Sequence, residues 1–210
     1  MALDYPDLLD AVTRSQERVA ATLATLGDDE ARAPSRLPGW TRGHVVTHLC
    51  RNADAVWRFA TGVLTGVPGV MYPGGPDARN SAIEEGADRP TSLLAADFDF
   101  TGSRLARALA QIPADRLDTE IAWRRPVTAY DLPLLRWREL EIHHIDLGLA
   151  YSLADWPDEF VSYTLASERP RLAAAAPDVT APELPDAQLL AWLVGRPQSS
   201  GLPELPPWPF

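Results

Sequence analysis

Two residues four apart in the stretch Arg138-Glu139-Leu140-Glu141-Ile142-His143-His144-Ile145-Asp146-Leu147 have the types and spacing to do chemistry together. Wound as an α-helix at about 100° per residue from Leu132, Glu139 and His143 fall roughly 20° either side of zero. They sit in the middle of an apolar arc formed by Leu132, Leu135, Leu140, Ile142, Leu147, Leu149 and Ala150, the face expected to point into a core. Asp146 lies close by, and Glu141 and His144 fall on the opposite side. A carboxylate and an imidazole on a buried face must be paired or bound to a metal, because desolvating them alone is costly.

Zinc in an enzyme usually takes three protein ligands and leaves a position open, and His with Glu is a common set. Glu139 and His143 supply two. A third has to come from another helix, where only His44 and His48 remain. His48 is the better choice, since it lies nearer the apolar stripe of its helix and deeper in it. Asp146, one turn beyond His143, is placed to accept a hydrogen bond behind the ligands. The bland alternative is a set of core polar residues bonded to one another. Cys50 lies about 200° from His48 on the wheel and reads as a small packing residue.

The elements that must position these groups are helical. Leu8, Val12, Ser15, Val19, Leu23 and Leu26 recur at three-four spacing and predict a helix over about 6–26, stopped by Gly27. Thr41 caps a second helix with the stripe Val45, Leu49, Ala53, Val56, Ala60 and Val63. The Gly- and Pro-rich run 66–75 is loop, and Asp77 caps a short helix through Ala87. Thr91 caps a third long helix carrying Leu94, Phe98, Leu105, Leu109 and Ile112. A connection with a short extended piece near Ile121-Ala122-Trp123 follows. Asp131 and Pro133 then open a fourth long helix ending near Tyr151. The pattern predicts a mainly α fold, an up-down-up-down four-helix bundle over residues 1–152. Residues 153–210 form a small C-terminal lobe: a fifth helix to about Ala176, one weak strand candidate at Asp178-Val179-Thr180, a last helix over 186–194, and a Pro-rich tail.

Composition bounds the function classes. With 210 residues, 46% apolar content and seven Trp, the chain can bury a real core. All 19 basic residues are Arg, a bias expected of a GC-rich genome, and the formal charge of −10 argues against a nucleic-acid surface. A single cysteine fits a reducing cytoplasm. No apolar run long enough for a membrane span and no leader-like N-terminus are evident, so a cytoplasmic monomer is expected.

Two motifs carry a resemblance. Leu37-Pro38-Gly39-Trp40-Thr41-Arg42-Gly43-His44-Val45-Val46-Thr47-His48-Leu49, with the later Arg138–Gly148 segment, resembles the signature of mycothiol-dependent maleylpyruvate isomerases in the DinB-like superfamily of metal-binding four-helix bundles. Met71-Tyr72-Pro73 with Pro76-Asp77-Ala78-Arg79-Asn80 resembles that family's loop after its second helix. Gly195-Arg196 and the Trp-containing tail resemble its C-terminus. The resemblance implies zinc on His48, Glu139 and His143, an arginine needed for activity at Arg196, and substrate or cofactor contacts at Arg79, Asn80 and His44. It also implies mycothiol as a cofactor. One departure stands out: the second lobe is abbreviated beside the family's small α/β lobe.

The implied reaction is cis–trans isomerisation of maleylpyruvate to fumarylpyruvate. A thiolate adds reversibly to the conjugated double bond, the resulting single bond rotates, and elimination restores the alkene. The protein has to supply a thiolate, stabilise an enolate and hold carboxylates, for which zinc and arginine forks are suited. Two other readings use the same residues: a mycothiol S-transferase that conjugates an electrophile without eliminating, and a non-catalytic zinc-binding regulatory protein. The chain lacks the several cysteines that redox switches of the last kind use.

Overall fold

The computed structural model describes residues 3–123 and 126–205. It divides into two compact units, Leu3–Gly148 and Leu149–Phe210. The first contains helices α1 (Tyr5–Leu23), α2 (Asp28–Arg32), α3 (Arg42–Thr65), α4 (Gly75–Ala87), α5 (Thr91–Ala110) and α6 (Leu132–Asp146). A two-residue hairpin, β1 (Glu120–Ile121) against β2 (Val127–Thr128), lies between α5 and α6, with Ile121 opposite Val127. The second unit contains α7 (Asp158–Ala175) and α8 (Asp186–Leu193). No helix of the described residues is long and apolar enough to cross a membrane.

The long helices α1, α3, α5 and α6 form the bundle, each packed against two of the others. Their side-chain partners fix the chain directions. Along α3 and α5, Arg51 meets Asp97 and Asp54 meets Arg104, so these two helices run the same way. Along α1 and α6, Ser15 meets Glu141 and Thr22 meets His144, so these two also run together. Tyr5 reaches the Leu109 carbonyl and Gln16 the Phe98 carbonyl, which sets α1 against α5. His48 meets His143 and Asn52 meets Arg136, which sets α3 against α6. The mainly helical class and the bundle agree with the sequence reading, but the directions are up-down-down-up, not up-down-up-down. The cause is α4. It runs back along α3, with Gly86 beside Thr47 and Gly43 beside Ala87, and returns the chain to the end where α3 began.

The stripes of α3, α5 and α6 bury a cluster of Val56, Phe59, Val63, Leu105, Leu109 and Leu132 around the C-terminal half of α3. This half anchors the helix by burial of apolar area. The N-terminal half of α3 is free to carry polar groups. It starts where expected, with the Thr41 hydroxyl accepting from the His44 amide at 3.3 Å, and stops at Gly66, whose φ of 75° favours glycine.

Other boundaries differ. Thr91 is the first residue of α5, after Pro90, and its amide and hydroxyl both donate to Asp28 Oδ1 at 2.8 Å. Asp77 lies inside the first turn of α4 behind Gly74, where its charge still favours the helix N-terminus. Asp131 is the N-cap residue of α6 and Pro133 lies in its first turn, as expected, but the Asp131 carboxylate accepts from the Thr128 amide at 2.7 Å and makes no capping bond. That helix ends at Asp146, followed by Gly148 at φ 66°, so Leu149 and Ala150 lie beyond it. In the second unit, α7 packs on α8, with Trp156 edge-on to Phe160 at 5.4 Å. Asp178-Val179-Thr180 forms no strand, and a lone segment without a partner has nothing to pair with.

Candidate metal centre

Helix α6 presents Glu139 and His143 one turn apart, and α3 presents His48 opposite them. Glu139 Oε2 lies 2.8 Å from His48 Nε2 and 3.4 Å from His143 Nε2, and the two imidazole nitrogens are 3.0 Å apart. One donor atom from each residue falls within 4.8 Å of the others. Four-coordinate zinc with bonds of about 2.0–2.1 Å needs donor atoms about 3.3 Å apart, so small outward shifts suit the three to one ion. Two neutral nitrogens and one carboxylate oxygen form a donor set that a divalent borderline metal accepts.

The network behind the donors fixes the ring tautomers, because carboxylates only accept and guanidinium groups only donate. Asp146 Oδ2 lies 2.8 Å from His143 Nδ1, so Nδ1 carries the proton and Nε2 turns a lone pair to the centre. On the other ring, Arg79 Nη2 donates to His48 Nδ1 at 3.0 Å. His48 therefore carries its proton on Nε2 and donates it to Glu139, with His143 Nε2 beside it. The bland alternative, polar residues bonded to one another, is thus self-consistent in its proton placement.

Burial raises a carboxyl group's pKa, yet the neighbouring His143 and His48 imidazoles outweigh it and hold Glu139 well below the ordinary range. Burial, joined by the neighbouring His143, pushes His48 down and keeps it neutral. Burial alone would lower His143 too, but the Asp146 and Glu139 carboxylates beside it win and raise it, which makes its Nε2 more basic. His48 is buried, whereas the Glu139 side chain keeps 32% of its surface exposed, so the centre opens to solvent on the Glu139 side.

His44 sits one turn before His48 with both ring nitrogens engaged, Nδ1 by the Thr41 hydroxyl at 2.7 Å and Nε2 by Glu84 at 3.2 Å. Trp40 lies against both imidazoles, 6.1 Å from His44 and 5.7 Å from His48 between ring centroids. Asn80 is exposed and accepts from Arg79 at 3.0 Å. Cys50 is fully buried, and its thiol is pushed up to about 12, chiefly by burial.

Two groups placed opposite the core face, Glu141 and His144, are buried instead. Helix α6 packs on α3 with one side and on α1 with the other, so its polar side is a second interface. There Glu141 accepts from Ser15 and Arg18, and His144 meets the Thr22 hydroxyl at 2.7 Å. The sequence reading also passed over Arg136, fully buried three residues before Glu139. Its guanidinium donates to the Leu49 carbonyl, Asn52 and Gln16, and burial pulls its pKa down to about 10. Its spacing from Glu139 was the available signal, since both fall on the same face of the wheel. Arg196 belongs to the second unit. It follows Gly195 at φ 74° and donates from Nη1 to the Val194 carbonyl at 2.8 Å, an interaction that covers the end of α8.

Fold and site together define a four-helix-bundle protein with a His–Glu–His donor set between two of its helices. The family described as mycothiol maleylpyruvate isomerase N-terminal domain matches residues 12–148, and the chain belongs to it. Two crystal structures share the fold. One, of the mycothiol-dependent maleylpyruvate isomerase, is 24% identical with a TM-score of 0.85, over 98% of this chain and 98% of that one. The other, of a histidine-to-alanine mutant of that enzyme, is 23% identical with the same TM-score and coverage. No curated protein matches the chain.

Proposed function

We propose that this chain is a mycothiol-dependent maleylpyruvate isomerase that converts the cis substrate to fumarylpyruvate around a zinc ion on His48, Glu139 and His143. The observation that carries the reading is the convergence of these three donors inside the segment that matches the family. When bound, zinc supplies a Lewis acid that lowers a thiol's pKa or polarises a carbonyl, and mycothiol supplies the thiol whose reversible addition frees the double bond to rotate. The chain's own residues hold and orient. Asp146 holds His143 in the tautomer that faces the centre, Glu139 would offset part of a bound metal's charge, and the Trp40 ring lies 5.7 Å from that of His48. Arg79, Asn80 and His44 are the candidate contacts for the anionic substrate or the thiol. By resemblance, Arg196 is a further residue of the reaction, additional to the capping contact it makes.

The protein supplies no nucleophilic sulfur of its own on this reading. Cys50 is sealed in the core with a thiol that stays protonated at neutral pH. Cys50→Ser is therefore expected to retain wild-type turnover of maleylpyruvate when mycothiol is added. Loss of that turnover in a variant with its metal and fold intact would make Cys50 the nucleophile and contradict the external-thiol reading.

A further inference from the structure

The two histidines of the centre are not equally prepared for a metal. His143 has its proton on Nδ1, held by Asp146, and presents a lone pair. His48 is in the opposite tautomer, since Arg79 Nη2 donates to its Nδ1 at 3.0 Å and a guanidinium has no lone pair to offer in return. A neutral imidazole carries one N–H. If Nε2 gives its lone pair to a metal, that proton has to sit on Nδ1, and two N–H groups then point at each other across the Arg79 contact.

Arg79 has somewhere else to go. It lies on the second turn of α4, half-buried, and no carboxylate among the described residues pairs with it. Its other contacts are weaker holds, a hydrogen bond from Nη1 to Asn80 Oδ1 at 3.0 Å and the Tyr72 ring 5.6 Å from its carbon centre. A charged fork without a carboxylate partner, beside a centre that opens to solvent, is matched to an incoming carboxylate.

We propose that Arg79 is a metal-released anion arm: its hydrogen bond to His48 Nδ1 and a metal bond through His48 Nε2 exclude each other, so that metal binding displaces it toward a small carboxylate ligand. This rests on the metal reading of His48, Glu139 and His143. The coupling runs both ways, as linkage requires. Arg79 opposes the metal, the metal frees Arg79, and an anion that captures the freed guanidinium favours the metal. The arm would thus couple metal binding to the capture of an anionic substrate.

Zinc affinity measured by competition with a chromophoric chelator tests the arm without any turnover. Arg79→Ala should bind zinc about tenfold more tightly than wild type, because a charge-assisted hydrogen bond no longer has to be broken. Arg79→Gln should bind at least as tightly, since its amide oxygen can accept from Nδ1–H. Imidazole nitrogen shifts from NMR should place the His48 proton on Nε2 in the zinc-free wild type, on Nδ1 after zinc, and on both nitrogens in zinc-free Arg79→Ala. Added maleate, as a dicarboxylate probe, should tighten zinc in wild type more than in Arg79→Ala.

Equal or weaker zinc affinity in both Arg79 variants overturns the arm. So does tighter zinc with an unchanged His48 tautomer, which would be a charge effect alone. Failure of the wild type to bind zinc, or full zinc retention in Glu139→Ala, overturns the metal reading itself and is a distinct result.

Discussion

Glu139→Ala and His143→Ala are each expected to leave the purified protein nearly free of zinc, against an expected content of about one ion per chain in the wild type. The expectation follows from the geometry. Each substitution removes one of three donors, and water replaces it without the preorganisation that α3 and α6 provide. Changes to groups that merely support ligands cost about 10–100-fold in affinity, so loss of a ligand should exceed about a hundredfold. Elemental analysis after dialysis reads the result. Acid works in the same direction. His143 is raised by the carboxylates beside it, so protons compete for its Nε2 from a higher pH than for an ordinary imidazole, and zinc uptake should weaken as pH falls through that range. Glu139 is held low and stays ionised throughout it. Full retention of zinc in both variants would contradict the site.

Gly43→Ala should be the most damaging conservative change in the first unit. A Cβ at position 43 would overlap the Ala87 carbonyl oxygen, and the obstruction is backbone, not a side chain that can swing aside. Helix α4 would have to lift from α3. Overpacking of this kind costs about 3 kcal/mol, while the better helix propensity of Ala returns about 1 kcal/mol. Sterics win by about 2 kcal/mol, or about 6 °C in Tm for a unit of this size, readable by thermal unfolding. Because α4 carries Arg79, the same variant should also weaken the hold on His48 Nδ1. A Tm at or above wild type would mean that α4 adapts freely.

The donor set was legible because it is local. Glu139 and His143 share one face of one helix, and spacing alone reports that. His48 could be named because the chain has only two histidines outside α6 and one lies deeper in its stripe. The pairing of α3 with α6 is tertiary, and periodicity carries no such information. The same limit explains the direction of α5. Nothing in its own pattern says that α4 brings the chain back along α3 before α5 starts. Glu141 and His144 were misplaced for a related reason. A wheel marks polar residues as outward, but α6 has neighbours on two sides, and one contact is made of hydrogen-bonded polar pairs with Ser15, Arg18 and Thr22. Thr91 shows why cap positions drift: Pro90 takes the cap position of α5, and the Thr91 amide and hydroxyl donate to Asp28.

Thiol-assisted isomerisation at this centre is tested most directly by the fate of maleylpyruvate mixed with zinc-loaded protein. Conversion to fumarylpyruvate is expected only when mycothiol is present, with mycothiol recovered unchanged and turnover lost in Glu139→Ala. Consumption of mycothiol into a stable adduct would identify an S-transferase. Conversion without thiol, or no reaction with zinc and mycothiol both supplied, would contradict the account.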